Sequence, residues 1–377
     1  MKTALVLSGG GARGAYQVGV LKAIAELLPR SKVNPFQIVC GTSSGAINAA
    51  KVATEADDFH NAVKDLEDIW SNLTSNQIHQ VGYLDIFKSI LKILMSFFHS
   101  GIAKGQSLSV FNNQPLHNLL KRNIDIARLD RMINQAHIHA LSISALGYSS
   151  GQNINFFQGH ESLQFWRRSR RIGAKTILEH KHLMASLALP ALFPSVLINR
   201  EYFGDGALRQ SAPLSAALHL GADKLLVIGV SSSAETIDER TLTDHSPTIA
   251  QVLGNLLNSA FIDSLEEDVQ MLKRFNSLAK YITPEQQKEL KIRPVELLVI
   301  KPKVKFDQVA ADFAHELPKS MRFLLSMIGA NKKGGGSSLA SYILFEKEYC
   351  QALIHSGYQD AMAQAEEIRN FVGVCEL

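Results

Sequence analysis

The sequence predicts an α/β fold in which helices cover a mainly parallel central sheet. Two observations favour this class: short apolar runs alternate with helical patterns over most of residues 1–302, and glycine-rich turns follow the first two runs. Alternation of this kind is typical of parallel sheets, because each crossover between parallel neighbours has room for a helix. The 377 residues are enough for one large domain or two moderate ones.

The first four elements follow directly from the residue pattern. Residues 3–8 (TALVLS) predict a buried strand, and residues 15–28 place Tyr16 and other apolar side chains at helical spacing. The run at 36–41 (FQIVCG) predicts a second strand, and residues 44–54 predict the start of a second helix. Each strand therefore ends in a glycine turn that leads into a helix.

The later elements continue this alternation. They are a strand at 140–146 with a turn at Gly147–Gly151, a helix at 181–196 broken by Pro190 and Pro194, a helix at 213–222, and strands at 223–231 and 295–302. Residues 332–338 (KKGGGSS) resemble a linker, and two helices follow them. We therefore expect a catalytic domain over 1–305 and a helical C-terminal extension over 306–377.

Composition places the chain among folded globular proteins. It is 46% hydrophobic and 20% charged, so general disorder is not expected. The net charge of +4 suits a surface that meets anionic lipid or nucleic acid, but many proteins without such partners share it, and we expect no nucleic-acid partner. Cys40, Cys350 and Cys375 are too few and too widely spaced for a disulfide framework or a zinc site. The start lacks a signal-peptide core, and lysines interrupt the most apolar segment, 84–98, so we expect a cytoplasmic or membrane-peripheral protein.

The glycine-rich loop after the first strand allows three interpretations. Gly9, Gly11 and Gly14 fit the G-x-G-x-x-G spacing of dinucleotide-binding proteins, but the second strand ends at Val39–Gly41 without the carboxylate that holds the ribose. A phosphate-binding P-loop requires Lys-Ser/Thr after the last glycine, where this chain has Ala15–Tyr16. These departures weaken both nucleotide interpretations.

The third interpretation is an oxyanion hole. The backbone N–H groups of Gly9, Gly10 and Gly11 can converge on one point without side chains in the way, at the positive end of a helix dipole. The alternative is a tight strand-to-helix turn that binds no ligand.

A serine turn follows the second strand. Gly41-Thr42-Ser43-Ser44-Gly45 matches G-x-S-x-G only with Ser43 at the centre, and the strand before it and helix after it are the setting of a nucleophile elbow. Ser44 is then the first-turn residue of the helix. The alternative role for Ser43 is that of an N-capping serine.

The proton acceptor for such a serine is harder to identify. His219, His245, His315 and His355 follow in the sequence, but none lies in a loop after a strand, as a triad histidine does, and the elbow comes too early for the α/β-hydrolase order. Asp205, between two glycines after a short aromatic run, is the other candidate base. Its alternative role is an ordinary Asp-Gly turn of a hairpin.

Three blocks together resemble the patatin-like phospholipase family. They are residues 8–21 (SGGGARGAYQVGVL), 41–49 (GTSSGAINA) and 204–228, which opens with GDGA, and they match G-G-G-x-R-G, G-x-S-x-G and D-G-[GA] in order. The stretch ASLALPALFPSV (185–196) is similar to one the family shows before its aspartate block. The resemblance covers residues 3–232.

The resemblance implies a Ser–Asp dyad on a patatin-like three-layer α/β/α fold. Ser43 would be the nucleophile and Asp205 its base, and the mechanism needs no metal or cofactor. The oxyanion hole would be formed by the loop Gly9, Gly10, Gly11, Arg13 and Gly14, in which we expect Arg13 to brace the loop. Gly41 and Gly45 would flank the elbow. Gly206 and Ala207 would complete the aspartate block, with alanine where many members have glycine.

The implied substrates are lipid esters: phospholipids, lysophospholipids or galactolipids. Such substrates require peripheral membrane contact, for which residues 84–104 offer an interfacial helix, although a helix packed on the core is the favoured interpretation. The cluster FWRRSRR (165–171) could meet headgroup phosphates, but a solvated turn is favoured. An acyltransferase or thioesterase on the same dyad, and a catalytically silent lipid-binding protein, remain open alternatives; oligomeric state is left open.

Overall fold

The computed structural model describes residues 1–30, 34–79, 109–232, 246–290, 293–330 and 336–373. Within these ranges a ten-stranded sheet lies between two layers of helices, which confirms the predicted α/β fold. The strands are β1 (Thr3–Leu7), β2 (Ile38–Thr42), β3 (Ala140–Gly147), β4 (Asn153–Gly159), β5 (Trp166–Arg168), β6 (Arg171–Lys175), β7 (Val196–Ile198), β8 (Glu201–Asp205), β9 (Lys224–Ile228) and β10 (Glu296–Ile300).

The sheet has the order β10-β9-β1-β2-β3-β4-β6-β5, and β8 adds to β3 with β7 beside it. The five strands from β10 to β3 are parallel, whereas β4 and β8 run antiparallel to β3. Side chains of β1 alternate between two cores: Leu5 and Leu7 pack in one, Ala4 and Val6 in the other. Because both faces are covered, β1 and β2 are nearly continuous apolar runs.

Helices supply the two outer layers. They are α1 (Gly14–Leu27), α2 (Ser44–Thr54), α3 (Phe59–Ser71), α4 (Ser75–Ile78), α5 (Gln114–Asn123), α6 (Arg128–Asn134), α7 (His180–Ser186), α8 (Ser215–His219), α9 (Ile249–Asn258), α10 (Ser264–Ala279), α11 (Pro284–Leu290), α12 (Phe306–Phe313), α13 (Lys319–Met327), α14 (Ser337–Ile343), α15 (Lys347–Met362) and α16 (Ala365–Val372). Helices α1, α2 and α3 pack on one face of the sheet, and α8 and α10 on the other. None of the described helices is long and apolar enough to cross a membrane.

The C-terminal helices pack directly on the N-terminal one. A Cβ on Gly19 of α1 would overlap the carbonyl oxygen of Ile354, and one on Gly357 would overlap that of Tyr16, so the backbones of α1 and α15 touch at both glycines. The Tyr16 hydroxyl also donates a hydrogen bond of 3.1 Å to Asp360. The C-terminal helices thus share a core with α1, and the domain division at 305/306 stays a prediction.

Two local predictions differ from the structure. The helix expected over 181–196 ends at Ser186 as α7, and the chain then runs irregularly into β7, because each proline lacks an N–H and disfavours a helical residue before it. Residues 165–171, expected as a solvated turn, contain β5, an exposed turn at Ser169 and Arg170 and the first residue of β6, with Arg167 and Arg168 also exposed.

Some of the sequence predictions concern residues outside the described ranges. The segment 84–104, Cys375, His245 and most of the predicted linker at 332–338 belong to these. The strands expected at 3–8, 36–41, 140–146, 223–231 and 295–302 are all present within a few residues of the expected bounds.

Candidate active site

The strand register brings the glycine loop, the serine turn and the aspartate block to one edge of the sheet. Leu7 at the end of β1 pairs with Gly41, and Thr42 at the end of β2 pairs with Ser144. The chain continues from Thr42 into Ser43. On the same side of β3, directly beyond the end of β2, the antiparallel strand β8 ends with Asp205 opposite Ala145, the residue after Ser144. Residues far apart in sequence therefore meet at the carboxyl edge.

Ser43 lies in a strained turn between β2 and α2. Its φ of 52° and ψ of −128° are backbone angles that a serine rarely adopts and that cost about 1–3 kcal/mol. Its backbone N–H donates a 2.9 Å hydrogen bond to the Ser186 hydroxyl at the end of α7, which helps to hold the turn. Although Ser43 occupies the N-cap position, its side chain makes no capping hydrogen bond. The capping alternative therefore does not describe this serine.

The two glycines beside the turn are required by close packing. A Cβ on Gly45 would overlap the carbonyl oxygen of Leu7, and one on Gly41 would lie 2.6 Å from the Cα of Ala46. The turn can therefore sit directly against the end of β1. Ser44 is the first residue of α2, and its buried hydroxyl has no hydrogen-bond partner among the described residues.

The loop of Gly9, Gly10 and Gly11 faces the serine turn. A Cβ on Gly9 would lie 3.0 Å from the Cβ of Ser43. Among the hydrogen bonds of the described residues, none is donated by the backbone N–H groups of Gly9 and Gly10. Buried backbone donors are nearly always paired, so two unpaired N–H groups beside a strained serine are suited to an oxyanion.

Arg13 connects this loop to a helix more than 300 residues away in sequence. Its Nε and Nη2 donate hydrogen bonds of 2.9 and 2.7 Å to the Ser341 hydroxyl on α14, and its guanidinium lies 3.9 Å from the ring centroid of Tyr342. Gly11, at a φ of +57°, packs against the Tyr342 carbonyl where a Cβ would overlap it. Arg13 is buried and does not line the pocket, so its contacts are with the protein's own loop and helix. Gly14, the next residue, is the first residue of α1.

Asp205 is a buried carboxyl at the end of β8. Its Oδ1 accepts a 3.0 Å hydrogen bond from the Ala207 N–H, and Oδ2 is buried without a partner of standard hydrogen-bond geometry. Burial raises the pKa of Asp205 to about 7, against smaller lowering effects of the Ser43 hydroxyl and the Ala207 amide. The Ser43 hydroxyl is thus close enough to act on the carboxyl, although the two do not form an ideal hydrogen bond in this structure.

The neighbourhood of Asp205 also excludes the hairpin-turn alternative. The turn between β7 and β8 falls at Asn199 and Arg200, whereas Asp205 is the last residue of β8, at the far end of the strand from that turn. A Cβ on Gly206 would overlap the Ser144 carbonyl, so glycine is needed for the aspartate block to lie against β3.

An apolar pocket opens onto these groups. Ser43, Ser44 and Asp205 line it together with Gly11 and a majority of aliphatic and aromatic side chains, which include Ile47, Trp70, Leu116, Leu187, Phe193 and Phe345. Its free volume is about 50 Å³, against about 300–1,000 Å³ for typical ligand pockets. A hydrocarbon chain therefore requires these walls to move apart.

No histidine lines this pocket among the described residues. The His219 ring stacks on Trp166 in the opposite layer, with 4.2 Å between ring centroids. His315 and His355 are exposed. Within the described part of the chain, Asp205 is therefore the one carboxyl or imidazole group that lines the pocket with Ser43.

Several side chains at this site are not indicated by any sequence motif. Phe261 lies in a π-helical turn over Ser259–Asp263, where its ring closes over Gly9 and stacks on Tyr342 with 5.4 Å between centroids. Such single π-turns are frequent at functional sites, but no sequence motif predicts where they occur. The hydrogen bonds that Ser186 makes to Ser43 and Ser341 makes to Arg13 likewise form only in the folded protein, and no sequence motif indicates them.

Sequence comparison identifies the family to which the chain belongs. The sequence model of the family described as Patatin-like phospholipase matches residues 5–218. The chain belongs to this family. The matched range contains the glycine loop, the serine turn and the aspartate block, and the sheet described above is the patatin-like fold.

Several known proteins of this family are similar to the chain. A cGAMP-activated phospholipase from Pseudomonas aeruginosa is 26% identical over 57% of this chain and 55% of its own length. The human calcium-independent phospholipase A2-gamma is 22% identical over 68% of this chain and 31% of its own length. The crystal structure of VipD from Legionella pneumophila aligns with a TM-score of 0.40 at 15% identity, covering 97% of this chain and 67% of VipD. The chain thus spans about half or less of the two phospholipases.

Proposed function

We propose that the protein is a lipid acyl hydrolase of the phospholipase A or lysophospholipase type, with Ser43 as nucleophile and Asp205 as base. The observation that carries this proposal is the strained serine beside a buried, partly unpartnered carboxyl at the end of an apolar pocket. Family membership and the phospholipase relatives support the reaction class.

Asp205 receives the proton in this mechanism. A carboxylate with an ordinary pKa is a weak base, but the pKa of about 7 makes ionised Asp205 a stronger one at neutral pH. The Ser43 hydroxyl interacts with the Asp205 carboxyl, whose Oδ2 is buried without another hydrogen-bond partner among the described residues. The Ser43 Oγ then attacks the ester carbonyl carbon while its proton passes to Asp205.

The glycine loop stabilises the charge that develops. The carbonyl oxygen becomes an oxyanion and accepts hydrogen bonds from the unpaired N–H groups of Gly9 and Gly10, with Gly11 adjacent. Collapse of the tetrahedral intermediate breaks the bond to the alcohol, which leaves with the proton from Asp205. Water then attacks the acyl-enzyme as Asp205 takes its proton. Cleavage of the bond between the acyl group and the Ser43 Oγ releases the carboxylic acid, and Ser43 takes the proton back from Asp205.

The lining of the pocket favours an acyl chain next to Ser43. Apart from the two serines and Asp205, its described walls are aliphatic, aromatic or glycine. A phospholipid or related lipid ester supplies such a chain next to an ester carbonyl, and it reaches the protein from an aggregate, so we also propose peripheral membrane contact.

The test is hydrolysis of diacyl- and lysophosphatidylcholine in mixed micelles, with free fatty acid measured over time. The proposal predicts turnover by the wild type and by Ser44→Ala, which is the matched control because Ser44 lines the same pocket. Ser43→Ala should lose turnover by several orders of magnitude. Acyl transfer to an added alcohol in place of fatty acid release would favour the acyltransferase alternative, and equal activity of wild type and Ser43→Ala would refute the proposal.

A further inference from the structure

A second apolar cavity lies behind the catalytic pocket. It has a volume of about 290 Å³, close to the lower end of the range for small-molecule sites. Its walls come from α9, α13, α14 and residues 189–192, and every described lining side chain is apolar. We call this cavity the hydrocarbon pocket.

One layer of side chains separates the hydrocarbon pocket from the catalytic pocket. Leu189, Leu192 and Ile343 line both cavities. All three are aliphatic, and α14 also carries Ser341 and Tyr342, which brace the glycine loop. The two cavities are therefore adjacent spaces on either side of an aliphatic partition.

The hydrocarbon pocket reaches the protein surface at α9. Leu253 and Leu256 line it and are 40% and 61% exposed. Ile249 and Val252 of the same helix, and Phe323 on α13, add exposed hydrocarbon beside this opening. Clustered exposed apolar side chains mark binding surfaces more often than isolated ones do, and this cluster leads into an apolar space.

We propose that the hydrocarbon pocket holds one acyl chain of a two-chain lipid while the other chain lies beside Ser43. This inference rests on the proposed function, since it names the substrate as a diacyl lipid. The affinity of an apolar cavity for a ligand rises about four-fold for each methylene group of the ligand that the cavity removes from water. A chain of several methylene groups is therefore the occupant that suits it best. The partition keeps the two chains apart and directs only one ester to the serine.

The first test compares variants that fill the pocket with a matched control. Leu257→Trp places a large ring in the hydrocarbon pocket, and Leu253→Trp does so at its opening, where folding tolerates it best. Leu278→Trp makes the same replacement at a leucine of α10 that is 59% exposed and lines neither cavity, and it is the control. The kcat/KM for diacylphosphatidylcholine is divided by that for lysophosphatidylcholine, which has a single chain.

The proposal predicts that this ratio falls at least ten-fold in Leu257→Trp and Leu253→Trp and stays within two-fold of the wild type in Leu278→Trp. Loss of fold or of general activity would lower both substrates together and leave the ratio unchanged. An unchanged ratio in both filling variants, with melting temperatures near that of the wild type, would overturn the proposal.

A binding test separates this inference from the proposed function. Ser43→Ala protein is titrated with the fluorescent fatty acid cis-parinaric acid, and the number of bound equivalents is counted. We expect two equivalents, one in each cavity, and one after Leu257→Trp is added. A single equivalent in both proteins would overturn the second site. If no ester is hydrolysed at all, the proposed function fails while this count still decides whether the hydrocarbon pocket binds a chain.

Discussion

Replacement of Asp205 by asparagine should stabilise the fold at alkaline pH while abolishing activity. The pKa of this buried carboxyl is raised from 3.8 to about 7, so the folded protein binds the proton more tightly than the unfolded chain does. The stability of the wild type therefore falls as the pH rises from about 4 to about 7, and ionised Asp205 remains a cost above that range. Asparagine has nearly the same shape and carries no charge.

The size of the effect follows from the shift. Each pKa unit corresponds to 1.36 kcal/mol, and a rise from 3.8 to about 7 gives an upper value of about 4 kcal/mol for ionised Asp205. The asparagine amide adds an offset of its own, but that offset is independent of pH. The quantity to measure is therefore the free energy of unfolding of the variant minus that of the wild type, and the test is how this difference changes with pH.

Urea denaturation followed by circular dichroism at pH 4, 5.5, 7 and 8.5 measures this difference. The free energy of unfolding of Asp205→Asn minus that of the wild type should increase by about 2–4 kcal/mol between pH 4 and pH 7. Above pH 7 this difference should stay constant. A difference that is the same at all four pH values would refute the reasoning, because it would mean that Asp205 keeps an ordinary pKa. Such a trade of stability for activity is common at catalytic groups.

Three further predictions concern the same site. The kcat/KM for a soluble ester should rise with pH through about 7, since Asp205 must be ionised to accept a proton, and a profile that is flat from pH 5 to 9 would contradict this. Gly9→Ala places a Cβ 2.6 Å from the Phe261 ring and should lower kcat about 10²–10³-fold, with wild-type kcat as the contrary result. Ser341→Ala removes the hydroxyl that accepts both Arg13 hydrogen bonds and should cost about 1.5–3 kcal/mol of stability in urea denaturation; a loss below 0.5 kcal/mol would show that Arg13 does not depend on it.

The sequence predicted those parts of the site that short local patterns specify. Ser43 and the glycine loop each lie between a strand and a helix, and residues close together in sequence specify each of these strand-to-helix turns. Because parallel strands end at a common edge, their order along the chain was enough to place both turns together. Asp205 could be chosen from sequence only by its flanking glycines and the family pattern.

The rest depends on tertiary packing that no local pattern encodes. Phe261 and Tyr342, which are 81 positions apart in sequence, both contact the glycine loop. The close contact of α15 with α1 requires a glycine on each helix at the point where the two backbones meet. The bracing of Arg13 by Ser341 spans 328 positions. The apolar spacing after Ser186 predicts that the helix continues, but α7 ends at Ser186 because the prolines beyond it are incompatible with a helix.

The most direct test of the central claim is the reaction of the protein with a fluorophosphonate in detergent micelles, measured as intact mass. An activated serine forms one covalent adduct, whereas an ordinary buried serine does not react. The account predicts one adduct on the wild type and on Ser44→Ala, none on Ser43→Ala, and much slower labelling of Asp205→Asn. An adduct that persists in Ser43→Ala, or a wild type that stays unlabelled in micelles, would contradict a Ser43–Asp205 dyad.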